Sequence, residues 1–152
     1  MKIKLITVSK NSKSSAAVLF EDYLKRIKHY TSIEHFPLRS SSLKNEMDQL
    51  QEEANSIQKK ISGNEEVVLL DRGGKEYSSE EFSAWLQKKL SASKNLCFII
   101  GGAYGFHESL KKKNTMRVSL SRMTLPHQLA KVIFAEQLYR AFTILRNEKY
   151  HH

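Results

Sequence analysis

The sequence is poor in the residues that mark several protein classes. It has one cysteine, Cys97, in 152 residues, so no intramolecular disulfide can form and no Cys-cluster zinc or iron–sulfur site exists. Two prolines and six glycines exclude collagen-like and Pro-rich low-complexity chains. No apolar run approaches the roughly 20 residues that a membrane-spanning helix needs. The start, Met1 to Val8, is too short and too regularly patterned for a signal peptide. There is no G-x-x-x-x-G-K-[ST] phosphate loop, no G-x-S-x-G nucleophile elbow and no H-E-x-x-H metal motif. No carboxylate cluster supports a metal either, and none is expected. Negative charge is also scarce: 25 Lys and Arg stand against 16 Asp and Glu, a formal balance of +9.

What is present describes a soluble, reduced, cytoplasmic domain of about 152 residues with one core. Hydrophobic residues make up 40% of the chain, enough to build it. A pI near 9.6 favours an anionic partner, most often nucleic acid.

Apolar spacing alternates between strand and helix. Lys2–Val8 reads as a strand, and Ser12, Ser14 and Ser15 offer N-caps to a helix over residues 14–29. Ile33–Leu38 is a weaker strand broken by Pro37. Ser40-Ser41-Ser42 opens a long helix whose stripe runs Leu43, Met47, Leu50, Ala54, Ile57, Ile61 and stops near Gly63. Val67–Leu70 is a continuous apolar run, as a strand covered on both faces should be, and Asp71-Arg72-Gly73-Gly74-Lys75 reads as a turn. Ser78 and Glu81 have capping-box spacing ahead of a third helix. Leu96–Ile100 is a second buried strand. A short helix over 107–113, a strand over Arg117–Leu120 and a helix to about Arg146 follow, with Pro126 in the last helix's first turn. The expected fold is α/β: a mostly parallel open sheet with helices on both faces, in one domain spanning 1–152.

Ligands of open α/β sheets bind beyond the carboxyl ends of strands. Two such ends are glycine-rich here, Leu70-Asp71-Arg72-Gly73-Gly74 and Ile100-Gly101-Gly102-Ala103-Tyr104-Gly105. The last helix is apolar nearly all round, through Leu129, Val132, Ile133, Phe134, Ala135, Leu138, Tyr139, Phe142 and Leu145. That pattern predicts burial on every side, which a symmetric dimer would supply. Glu136 and Arg140 on this helix are four apart and able to pair. His127 starts it, just after a loop that faces the strand ends.

Four segments together carry a specific resemblance: Gly101-Gly102-x-x-Gly105, Ser119-Leu120-Ser121-Arg122-Met123-Thr124-Leu125-Pro126-His127, Glu136-Gln137-x-Tyr139-Arg140-Ala141, and Tyr150-His151. They closely resemble the RlmH family, SPOUT-class methyltransferases acting on N3 of a pseudouridine in large-subunit (23S) rRNA. The resemblance covers essentially the whole chain. It implies a C-terminal deep trefoil knot, an exception to the usual absence of knots. It also implies a homodimer that acts on the assembled ribosome, with S-adenosylmethionine bound in a bent shape. The cofactor contacts it implies are Leu70, Gly101, Leu120, Ser121, Arg122, Met123, Thr124 and Leu125. Ala103-Tyr104, Arg72-Gly73 and the His151-His152 end depart from the family pattern.

The expected reaction is attack by a base nitrogen on the activated methyl. The weakly acidic N3–H calls for a base or a cation that stabilises the anion. The candidate catalytic residues are His127, nearest the site; Arg140, for substrate or anion; and Tyr150 and His151, as an arm over the partner's site. The alternative from another class is a non-catalytic basic RNA-binding or ribosome-associated module, which would need charge but no cofactor loop.

Overall fold

A hydrophobic strand at the start of the chain organises the sheet. In the computed structural model, which describes residues 1–10, 13–114 and 116–152, β1 (Lys2–Ser9) lies between two other strands and is buried along most of its length. The elements that follow are α1 (Ser15–Ile27), β2 (Ser32–Arg39), α2 (Glu46–Gln58), β3 (Glu65–Glu76), α3 (Ser79–Ser91), β4 (Asn95–Ile100), α4 (Glu108–Lys113), β5 (Arg117–Ser119) and α5 (His127–Leu145). All strand pairings are parallel, in the order β2-β1-β4-β3-β5.

Local chemistry explains most boundaries. Of the three serines offered as caps, Ser14 caps α1 by accepting the Ala17 N–H at 3.2 Å, Ser15 is the first residue of the helix, and Ser12 lies outside the described residues. The capping box of Ser78 and Glu81 forms as its spacing predicts. Pro37 is tolerated because β2 is an edge strand. The second helix begins later than expected. Asn45, not the serines at 40–42, accepts the Asp48 N–H and starts α2, and Leu43 remains outside it. Pro126 sits at the N-cap of α5, one place before the first turn, with no side-chain cap bond.

The sheet buries both faces. On one side α1, α3 and α5 cover Ile3, Leu5, Val68, Leu96, Phe98 and Val118. On the other, α2 and α4 cover Ile6, Val8, Leu69, Cys97 and Ile99. Each fully buried large side chain, such as Phe98 or Phe134, is worth roughly 1.5–3 kcal/mol. Cys97 is enclosed mid-strand, and burial pushes its thiol up to about 12, so it is a packing residue.

Two expectations need correction. The segment from Asp71 to Lys75 is not a simple turn: β3 continues to Glu76 with a register shift between Leu70 and Lys75, and Lys75 and Glu76 pair with Val118 and Ser119. Gly74 permits this, because a Cβ there would stand 2.6 Å from the Arg117 carbonyl carbon. The last helix is also better covered within one chain than its sequence implies. Phe134, Ala135, Leu138, Ala141 and Phe142 are buried, and Phe142 stacks on Tyr30 with ring centroids 5.5 Å apart. Leu129, half exposed, is the large apolar residue that α5 leaves most open.

No helix among the described residues is long and apolar enough to cross a membrane. No group of three or more His, Cys, Asp or Glu among them could hold a metal ion.

Candidate functional site

The loops that follow β4 and β5 meet beside Leu70, Asp71 and Arg72, where the register of β3 shifts. After β4 the chain turns at once: the Gly105 N–H donates to the Gly102 carbonyl at 3.1 Å, and Gly105 takes a positive φ of 77°. Gly101 faces inward at this turn. A Cβ on it would lie 2.7 Å from the Gly105 carbonyl oxygen and 3.1 Å from the Phe106 ring. Glycine at 101 is therefore required by the turn's own backbone.

The loop between β5 and α5 is braced from within. Ser119 Oγ donates to the Ser121 carbonyl at 3.0 Å, and the Met123 N–H donates to Ser121 Oγ at 2.9 Å. Arg72, in the second part of β3, donates to Thr124 Oγ1 at 2.6 Å and ties this loop to the strand. Between the loops lies a cavity of about 520 Å3. Its walls include Leu70, Gly101, Leu120, Ser121, Met123, Thr124 and Leu125, which are seven of the eight residues expected to contact a cofactor. The eighth, Arg122, turns outward: its side chain is 87% exposed and lies 3.4 Å from Glu76.

The cavity suits a flat, mixed-polarity ligand. Ile100, Leu70, Leu120, Leu125 and Phe106 provide apolar surface, and the glycine turn presents backbone. Ile100 and Phe106 were not among the residues expected from sequence. The position of Phe106 directly after the glycine turn is the signal that could have found it.

His127 also lines the cavity. Burial lowers its pKa, and the positive charges of Lys131 and Lys10 lower it further, so the ring is neutral near pH 7. Lys131 is itself drawn inward, donating to Ser9 Oγ at 3.1 Å, and burial lowers its pKa too.

Arg140, Tyr150 and His151 come together elsewhere. Asn147, at φ 54°, ends α5 in the left-handed region, and the Glu148 N–H reaches back to the Thr143 carbonyl at 2.9 Å. This reversal folds the tail against its own helix. Glu136 Oε1 accepts from Arg140 Nη2 at 2.5 Å and Nε at 2.9 Å, and from the Tyr150 hydroxyl at 3.1 Å. Arg140 Nη1 is 3.2 Å from His151 Nδ1, and His151 Nε2 is 2.8 Å from Glu80 Oε1. The tail is thus docked, not free, and Tyr23 and Tyr139 pack beside Tyr150. Arg140 follows His127 by 13 helical positions, about 20 Å along the axis. Within one chain the cavity and this cluster are separate features of the same helix.

Similarity to known proteins agrees with this geometry. A family model described as a predicted SPOUT methyltransferase matches residues 1–151. A relative from Flavobacterium johnsoniae, named ribosomal RNA large subunit methyltransferase H, is 45% identical over 156 aligned positions, covering 100% of this chain and 99% of its own. Relatives of the same name from Porphyromonas gingivalis (43%) and Christiangramia forsetii (42%) align with the same coverage. A full-length match to the family model and identities above 40% leave one conclusion: the chain belongs to the SPOUT methyltransferases and, within them, to the family of ribosomal RNA large subunit methyltransferase H.

Proposed function

We propose that this protein uses S-adenosylmethionine to methylate N3 of a pseudouridine in large-subunit rRNA, on the assembled ribosome. It acts as a cytoplasmic homodimer of single-domain chains, with the C-terminal segment threaded as a deep trefoil knot around the cofactor cavity. The observation that carries this reading is the cavity of about 520 Å3 built from β3 and the loops after β4 and β5, with seven of the expected contact residues in its walls. A basic module that only binds RNA has no need of such a cavity.

The residues present fit the cofactor. Leu70, Leu120 and Leu125 would hold an adenine between apolar surfaces, the Gly101 turn would approach it with backbone, and Ser121 and Thr124 would meet its polar groups. Bound there, the cofactor supplies an electrophilic methyl group. The protein holds the target nitrogen in line with it, and positioning of this kind accounts for a large part of such a rate enhancement. His127, kept neutral by burial and its lysine neighbours, accepts the N3 proton at its imidazole. Arg140, with Tyr150 and His151 locked around it, offers a cation to the developing base anion.

The distance along α5 is the argument for a shared site. A partner packed antiparallel on this helix brings its Arg140 cluster to the His127 end of the first chain. Leu129, open at that end, is the apolar residue such packing would cover.

Titration calorimetry of the purified protein should show saturable S-adenosylmethionine binding. Mass spectrometry of rRNA from a gene-deleted strain should lack one N3-methylpseudouridine, restored by the wild-type gene. Absence of saturable binding, or an unchanged modification pattern, would overturn the reading.

A further inference from the structure

A second cavity, of about 650 Å3, opens beside the first at the carboxyl ends of β1 and β2. The two share Gly102, Ala103, Tyr104 and His127, so they are neighbouring chambers separated by the glycine turn. The second is lined differently. It has two exposed cations, Lys10 and Arg39, and three consecutive serines at 40–42. Neither cation is paired with a carboxylate among the described residues, unlike Lys4 with Glu65, Lys89 with Glu66 and Arg117 with Asp71. Tyr104, 54% exposed, stands on the shared wall.

One carboxylate, Glu53, also reaches this cavity, and it is already engaged. It is buried, its Oε1 accepts the Ser41 N–H at 3.2 Å, and both its oxygens lie within 3.4 Å of where a Gly102 Cβ would be. Glu53 thus bonds the serine loop and packs beside the glycine turn, between the two chambers.

We propose that the second cavity receives the substrate RNA, taking one single-stranded nucleotide whose phosphate meets Lys10 and Arg39 and whose base lies over Tyr104, facing His127. This rests on the methyltransferase reading and extends it by naming where the nucleotide enters. A chamber with two unpaired cations and three hydroxyls fits a phosphate far better than an apolar protein segment. An exposed aromatic ring at its inner wall provides a stacking platform. A base lying there has His127 on one side and the cofactor chamber beyond the turn.

The test uses the full-length protein and purified ribosomal particles lacking the modification, with particle binding measured separately from methyl transfer. Lys10→Ala and Arg39→Ala should each lower the steepness of log K against log salt by about 0.7–0.9, the loss of one phosphate contact. Tyr104→Ala should weaken binding roughly tenfold, as loss of one stacked base does, without changing that slope. The two cation variants, whose residues lie outside the first cavity, should bind S-adenosylmethionine as the wild type does. Lys88→Ala, on the outer surface of α3, should leave both quantities unchanged. An Arg39→Ala protein with wild-type affinity and salt slope would overturn the assignment. So would an Arg39→Glu protein that shifts the monomer–dimer balance while keeping the wild-type slope, since the cavity would then be a protein interface. A wild type that binds particles but transfers no methyl would instead refute the methyltransferase reading, leaving the salt-slope result to judge the cavity alone.

Discussion

A single histidine sets the pH range in which the proposed chemistry can run. The pKa of His127 lies below the ordinary 6.5, through burial first and then Lys131 and Lys10. Its neutral, proton-accepting form therefore persists below pH 6.5, and single-turnover methylation should stay level from pH 8 to below 6.5 before falling. Lys131→Ala removes one of the causes, so its acid limb should move to higher pH. An unshifted profile would separate His127 from the proton step. Gly101 offers a second residue-scale test. Because an added Cβ meets the Gly105 carbonyl and the Phe106 ring, Gly101→Ala should cost about 1–3 kcal/mol of stability and weaken cofactor binding together, by denaturation and calorimetry. Loss of binding with full stability would mean that the cofactor, not the turn, excludes the side chain. Seven of the wall residues were reached through the family resemblance carried by the motifs at 101–105 and 119–127, while Ile100 and Phe106 were not. The outward turn of Arg122 was not legible in the sequence, because it depends on Glu76, 46 positions away, extending β3 past the expected turn.

Among the elements, the edge strand carries an acid-sensitive contact. His35 of β2 sits 2.9 Å from Thr7 Oγ1 of β1, and burial, aided by Lys131, pushes its pKa down to about 4. Glu21, 3.8 Å away and mostly exposed, opposes this only weakly. The unfolded chain binds the proton more readily, so this contribution is complete above pH 6.5 and is lost as pH falls towards 4. The loss should be about 2 kcal/mol once solvent access at the sheet edge is allowed for. Urea unfolding of His35→Gln should show a correspondingly flatter dependence on pH over that interval. The tail behaves as an element of its own. Deleting residues 150–152 removes the bonds of Tyr150 and His151 to Glu136, Arg140 and Glu80. Turnover should fall strongly while the circular dichroism spectrum and cofactor affinity stay near wild type; wild-type turnover would exclude the tail from the site. Apolar spacing revealed the long helices and the strands β1, β3 and β4, whereas α4 and β5 carry one apolar residue each and were placed by their position between the other elements. It could not show the paired extension of β3, because Asp71 to Glu76 is polar and glycine-rich and its order comes from β5. Nor could it show the docked tail, whose partners lie as much as 127 positions away.

For the molecule as a whole, α5 has two faces with different consequences. Phe142 belongs to the chain's own core, so Phe142→Asp should prevent folding and give insoluble protein. Leu129 is half exposed, and on α1, which packs against α5, Val18 and Leu19 are also open. Leu129→Asp should therefore leave a folded chain that sediments as a monomer and does not methylate ribosomes. A fully dimeric Leu129→Asp protein would move the interface elsewhere. The all-parallel sheet also governs how the chain reaches this state. Ile3 pairs with Leu96, so β1 waits for one of its two neighbours, the central strand β4, more than 90 positions downstream. Helix α5, which closes the face shared by α1 and α3, is made after every strand it covers. During synthesis one side of the sheet therefore stays open until the last helix leaves the exit tunnel. Contacts this distant in sequence slow the search for the native arrangement, so refolding from urea should be slow for a chain of this size. A nascent chain stalled before residue 127 should be readily cleaved by protease.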